Sequence, residues 1–301
     1  MLALLAVLTL VTALPASAPA DETPDVGVAA AGTVPVWHTT TAVGPGVHAA
    51  TVRLAAGGRL RTAIVLAPRT ARPVPLVLVL HGRDTTPAQE LVRTGFADLA
   101  GHGDAVLAYP AGIGRSWNAR TGCCAAAAQL HVDDVGFLRA LIPAIEAHAP
   151  VDRSRVYLIG YSNGGRLALT AACALPGRLA GVATYGTAQP ARCPAGMPPL
   201  PVLIGYGNLD PHAAPGYVPP GAATAPTTAA GWRSVDGCTG EPALSYVATA
   251  TVKLWTSCRT GGRVELARWD GLAHRWPGAG WVDPDATARQ LIWRFLTGRP
   301  A

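Results

Sequence analysis

Short apolar runs alternate with helical spacing from residue 47 to residue 297. Residues 47–54 and 60–66 are strand-like and flank Ala55-Ala56-Gly57-Gly58-Arg59, which predicts an antiparallel hairpin. Residues 76–80 read Leu-Val-Leu-Val-Leu, with no polar position. A run of that kind suits a strand covered on both faces in a parallel sheet. Helical spacing over 87–99 follows, then a strand over 105–109 closed by Pro110. Asp133 and Asp134 precede a helix over 135–142, where carboxylates suit the helix dipole. Strands are predicted over 156–159, 181–185, 201–206 and 264–269, a helix to about residue 175, and a C-terminal helix over 284–297. The alternation predicts an α/β fold: a mostly parallel central sheet with an antiparallel N-terminal hairpin and helices on both faces. Residues 211–230, rich in Pro, Ala and Thr, read as an insertion or lid.

Composition refines this picture at the ends of the chain. Of 301 residues, 50% are hydrophobic and 14% charged, enough for one large core. Residues 1–20 read as a secretory signal peptide, with an apolar stretch over 2–14 and an Ala16-Ser17-Ala18 cleavage site, though no Lys or Arg precedes the apolar stretch. Residues 21–46 read as a partly ordered spacer, and 47–301 as one catalytic domain. No later segment is long and apolar enough to span a bilayer, so the expectation is a secreted protein without a membrane anchor after signal cleavage. The formal charge of +6 comes from scattered arginines, with Lys253 the single lysine. Without a basic run or interleaved aromatics, no nucleic-acid partner is expected. The six cysteines, Cys123, Cys124, Cys173, Cys193, Cys238 and Cys258, are even in number, as a secreted disulfide framework would have. The adjacent Cys123 and Cys124 lack zinc-ligand spacing, so no metal site is expected.

The candidate chemistry centres on residues 155–169, which read RVYLIGYSNGGRLAL. Gly160-Tyr161-Ser162-Asn163-Gly164 fits G-x-S-x-G, a strand-to-helix turn that lifts a serine Oγ above the strand end. A serine nucleophile needs a base and a carboxylate to orient that base, and on this kind of sheet they follow in the order Ser, Asp or Glu, His. The strand at 201–206 leads into Asp210, and the strand at 264–269 leads into His274. Asp270 is an alternative acid, and His81 and His212 also lie at strand ends. The oxyanion hole would take the backbone N–H of Asn163 and one from the loop after residue 80, from Arg83 or Gly82.

At these residues the chain resembles the secreted poly(3-hydroxybutyrate) depolymerase and feruloyl esterase family, which has the α/β-hydrolase fold. The resemblance covers about residues 47–299. It rests on Leu80-His81-Gly82, Ser116-Trp117-Asn118 with Cys123-Cys124, Val132 to Leu138, the Gly160–Gly165 elbow, the Gly207–Asp210 turn and His274-Arg275-Trp276-Pro277-Gly278. One departure is Arg83-Asp84-Thr85-Thr86, where relatives usually carry small residues or Cys. The resemblance implies a Ser162, Asp210, His274 triad with no metal or organic cofactor, acting on ester substrates that include polyesters and plant polysaccharide esters. It also implies bridges Cys238–Cys258 and Cys173–Cys193, leaving the Cys123-Cys124 pair. Trp117, Tyr161 and Trp276 are candidates to line a substrate cleft, with loop packing the alternative for the two tryptophans. The rival readings are a serine peptidase of the same fold and a non-catalytic extracellular polymer-binding protein on a hydrolase scaffold.

Overall fold

The structure, a computed structural model, describes residues 35–40, 46–119, 125–247, 249–278 and 288–298. The signal-peptide reading, the Cys123-Cys124 pair and the start of the predicted C-terminal helix lie outside the described residues. Among the described residues eleven strands form one sheet in the order β1-β2-β3-β5-β4-β6-β7-β8-β11-β10-β9. They are β1 (Val36–Thr40), β2 (Val47–Ala56), β3 (Arg59–Pro68), β4 (Val74–Leu80), β5 (Val106–Pro110) and β6 (Val151–Tyr161). The remainder are β7 (Gly181–Tyr185), β8 (Val202–Gly207), β9 (Ala243–Val247), β10 (Ala250–Trp255) and β11 (Val264–Trp269). The centre, β5-β4-β6-β7-β8-β11, is parallel, and antiparallel strands flank it on both sides.

The helices are α1 (Pro87–Thr94), α2 (Asp98–Gly101), α3 (Ala125–Gln129), α4 (Asp134–Glu146), α5 (Asn163–Ala174), α6 (Ala225–Asp236) and α7 (Ala288–Thr297). The strand period of two divides the core between the two sheet faces. Leu76, Leu78 and Leu80 of β4 point to one cluster, with Phe137 and Leu141 of α4, Leu167 of α5 and Trp232 of α6. Val77 and Val79 point to the other, with Phe96, Leu99 of α2 and Trp293 of α7. This is why β4 carries no polar residue: all seven of its positions are buried.

The structure departs from the sequence reading at several boundaries. Residues 36–40, assigned to the spacer, pair with β2 as an edge strand. The helix predicted over 87–99 stops at Thr94, because Gly95 takes a left-handed conformation (φ 66°) that caps α1, and the chain resumes as α2. Thr86 and Gln89 form a reciprocal cap at the other end of α1. Strands β9 and β10 add to the strands the sequence pattern predicts; β9 is an edge strand almost wholly exposed, so it carries no buried alternation. The end of the predicted insertion is the packed first turn of α6, capped by Thr224. Two disulfides match the pairing implied by the resemblance: Cys173–Cys193 ties the end of α5 to the segment before β8, and Cys238–Cys258 closes the base of the β9–β10 hairpin. No described helix is long and apolar enough to cross a membrane.

Candidate active site

The turn between β6 and α5 holds Ser162 at φ 53°, ψ −116°, a conformation a non-glycine residue seldom adopts. Its neighbours explain how the chain tolerates that. A Cβ on Gly160 would sit 2.4 Å from the Gly164 carbonyl oxygen, and one on Gly164 would sit 2.2 Å from that of Leu80. Only hydrogen fits at both positions, so the strand, turn and helix close against the end of β4.

Ser162 meets two side chains from distant loops. Its Oγ lies 2.8 Å from His274 Nε2, and His274 Nδ1 lies 2.9 and 3.0 Å from the two carboxylate oxygens of Asp210. A carboxylate only accepts, so Nδ1 carries the imidazole proton and Nε2 presents a lone pair to the serine hydroxyl. Asp210 is fully buried at the end of β8 and also accepts the His212 backbone N–H at 2.8 Å. The His274 loop, beyond β11, is held by Tyr161, whose hydroxyl donates to the His274 carbonyl at 2.8 Å while its ring stacks on the imidazole. Gly186, at φ 64°, leaves room for the ring: a Cβ there would lie 3.0 Å from its Cε1.

The alternative residues go elsewhere. Asp270 is exposed and pairs with Arg268 at 3.1 Å. His81 is buried beneath the loop after β4; Gly112 N–H donates to its Nε2 at 3.0 Å, so its Nδ1 proton goes to the Gly82 carbonyl at 2.7 Å. Burial pushes its pKa down to about 4, which keeps it neutral. His212 stands edge-on to His274 at 4.6 Å and faces the same cavity.

That cavity, about 360 Å³, is lined by Ser162, His274, Tyr161, Asn163, Arg83 and Arg166 among others. Gly82 passes directly beside the serine, since a Cβ on it would lie 3.5 Å from Ser162 Cβ. Arg83 and Asn163 both line the cavity with Ser162, and the half-exposed Arg83 side chain pairs with Asp84 at 3.3 Å. Trp117 and Trp276 need correction as cleft residues: they are 0% and 2% exposed and form packing, not wall. The Trp117 indole donates to the His81 carbonyl at 2.8 Å, and its backbone exchanges hydrogen bonds with the Asn163 amide at 2.7 and 3.0 Å. Trp276 packs edge-on against Phe96, Tyr161 and Tyr185. Tyr161 does line the cavity. Arg166, one turn along α5 from Ser162, was not singled out in the sequence; its place four residues after the serine is the signal that points to it. No group of three or more His, Cys, Asp or Glu side chains among the described residues is arranged to hold a metal ion.

Beneath the Gly82 loop lies Glu90, fully buried in α1. Burial pushes its carboxyl up to about 7, with the Arg93 charge and the Gly82 amide pulling it partly back. Such a group holds a proton in the folded state that the unfolded chain has already lost, so its contribution destabilises the fold as pH rises from 4.5 towards 7. Glu90→Gln is therefore expected to be more stable than the native chain at about pH 8, with the difference shrinking to its acid limit near pH 4. Urea midpoints at the two pH values check this; a pH-independent difference would refute it.

No family model matches the chain. In sequence it is similar to "Putative esterase NocK" of Nocardia uniformis subsp. tsuyamanensis, 34% identical over 223 residues, 70% of this chain and 59% of that one. It is also similar to feruloyl esterase B of Piromyces equi, 27% identical over 226 residues, 67% of this chain and 40% of that one. The chain thus spans less than two thirds of the length of these relatives. Among solved structures, acetyl xylan esterase from Aspergillus awamori superposes with a TM-score of 0.55 at 14% identity, covering 80% of this chain and 94% of that one. An S-formylglutathione hydrolase from Agrobacterium tumefaciens gives 0.52 at 16% identity, covering 79% and 91%. These likenesses establish the α/β-hydrolase fold.

Proposed function

We propose that this chain is a secreted serine carboxylic-ester hydrolase, a reading supported by its similarity to esterases in sequence and by its α/β-hydrolase fold. The observation that carries this is the continuous hydrogen-bonded relay from Ser162 Oγ through His274 to the buried Asp210. In the reaction, Ser162 Oγ attacks the ester carbonyl carbon while His274 Nε2 takes the hydroxyl proton. Negative charge collects on the carbonyl oxygen, where the backbone N–H groups of Asn163 and Arg83 receive it. Collapse of the tetrahedral intermediate breaks the bond to the alcohol oxygen, and the imidazolium hands its proton to that oxygen. Water, deprotonated by the now neutral His274, attacks the acyl-enzyme, and the carboxylic acid leaves as Ser162 regains its proton. Asp210 keeps the imidazole in the required tautomer and faces the charge it acquires. The substrate range we assign is that of the polyhydroxybutyrate depolymerase and feruloyl esterase type: short polyesters of hydroxy acids and acyl esters of plant polysaccharides.

The test is a substrate panel with covalent labelling. Purified protein would be offered p-nitrophenyl butyrate, methyl ferulate, soluble 3-hydroxybutyrate oligomers and a peptide amide. A fluorophosphonate would label the nucleophile for peptide mass spectrometry. Ester turnover with the label on Ser162 is the expected result. Cleavage of the amide in preference to every ester would favour the peptidase reading, and neither turnover nor label in folded protein would leave a polymer-binding scaffold.

A further inference from the structure

A second cavity of about 320 Å³ adjoins the one at Ser162, the two sharing Arg166 and His212 as walls. Its chemistry is uneven. Arg166 and Arg192 supply two positive charges, and among the described residues no Asp or Glu lines it. Ala188, Pro190, Val218, Pro219 and Ala222 supply the apolar remainder. Among the described residues the cavity at the serine is also lined by Arg93 and by the Arg83–Asp84 pair, Asp84 being its one acid. Two of these four arginines are answered elsewhere, Arg83 by Asp84 and Arg93 by Glu90 and the face of Tyr161, and Arg192 is exposed.

Arg166 is different. It is half-buried, and among the described residues its guanidinium has neither a carboxylate partner nor a hydrogen-bond acceptor. Burial accordingly lowers its pKa, with no opposing acid. A guanidinium withdrawn from water normally meets an anion, because an unpaired buried charge costs several kcal/mol. Its backbone N–H bonds the Ser162 carbonyl, so the side chain starts one helical turn, about 5.4 Å, from the nucleophile.

We propose that the second cavity is a carboxylate subsite, and that the substrate is an aliphatic ester with a free carboxylate at its non-reacting end. Arg166 is its specificity-determining residue and Arg192 its outer support. This rests on the hydrolase reading and narrows it. The apolar wall takes the chain, the planar guanidinium fork takes the carboxylate, and the scissile carbonyl reaches Ser162. Acid-terminated oligomers of hydroxy acids have this form, whereas neutral aryl esters such as methyl ferulate do not.

The test compares each acid with the same molecule capped as its methyl ester. One pair is p-nitrophenyl hydrogen adipate and p-nitrophenyl methyl adipate, with the charge on the acyl side. The other is a 3-hydroxybutyrate trimer and its methyl ester, with the charge on the alcohol side. In the native protein kcat/KM should favour the acid over its capped form by about 10- to 100-fold in at least one pair, as a charge-assisted hydrogen bond commands. Arg166→Gln should bring that ratio close to one, Arg166→Lys should keep part of it, and Arg192→Ala should lower it less. A general disturbance of the fold would move both members of a pair together and leave the ratio alone. Equal rates for acid and capped forms in both pairs, or a ratio indifferent to Arg166→Gln, would overturn the subsite. If folded protein cleaves no ester at all, the hydrolase reading falls, and calorimetric titration with the trimer decides the subsite separately. Binding of the acid alone, lost in Arg166→Gln, upholds it; equal or absent binding of both forms overturns it.

Discussion

Asp210→Asn is expected to lower ester kcat by about 10⁴-fold while leaving KM and the folded state nearly unchanged. The size follows from the proton inventory at His274. In the native site the carboxylate can only accept, so Nδ1 must donate to it and Nε2 must accept from Ser162. An asparagine amide at the same position offers an NH₂ donor. The imidazole then answers by carrying its proton on Nε2, which no longer has a lone pair for the serine hydroxyl. Steric change is minimal and the His212 backbone N–H still has an oxygen to bond, so near-ultraviolet circular dichroism should overlay that of the native chain. Steady-state kinetics on p-nitrophenyl butyrate measure the loss. Asp270→Asn is the internal control: it removes an exposed partner of Arg268 and should leave kcat within about twofold. A reversed order of effects would reassign the acid.

The residues proposed to react were legible because each sits where an apolar run ends. Strands β6, β8 and β11 announce themselves as buried runs, and in a parallel sheet their C-terminal ends share one edge. Ser162, Asp210 and His274 follow those three ends. Residues whose roles depend on the angle between loops were less legible. Trp117 and Trp276 look like cleft aromatics in sequence, yet their large side chains fill the space behind the elbow and the His274 loop, where burial outweighs any gain from facing substrate. Arg166 carries no sequence mark beyond its helical offset, and its significance arises only because residues 211–223 fold beside it without bringing an acid. Strands β9 and β10 escaped notice for a related reason. Their order comes from pairing with β11 and from the Cys238–Cys258 bridge, which a local pattern of apolar residues does not contain.

Asp134→Ala is expected to cost about 3–5 kcal/mol of folding stability, a larger loss than a helix-start carboxylate would explain. The sequence presents Asp133 and Asp134 as equals at the head of α4, but the structure separates them. Asp133 caps the helix by accepting the Gly136 N–H at 3.0 Å. Asp134 instead turns into the core, where it pairs with Arg61 of β3 at 2.6 Å, with both side chains fully buried. Its other oxygen accepts the Asn118 N–H at 2.7 Å, and the Arg61 guanidinium also lies over the Phe137 ring and reaches the Ala111 carbonyl. Burial works against both charges, lowering the Arg61 pKa and raising that of Asp134, and each partner offsets part of the other's shift. Removing the carboxylate alone strands a buried cation and releases the 116–118 loop that holds Asn163 beside the nucleophile. Arg61→Met combined with Asp134→Leu removes both charges, so the double variant should recover most of the loss in urea unfolding. Ester turnover in that double variant should still be impaired, because the Asn118 tether stays broken. Stability and activity would then part company, which a purely structural ion pair would not produce.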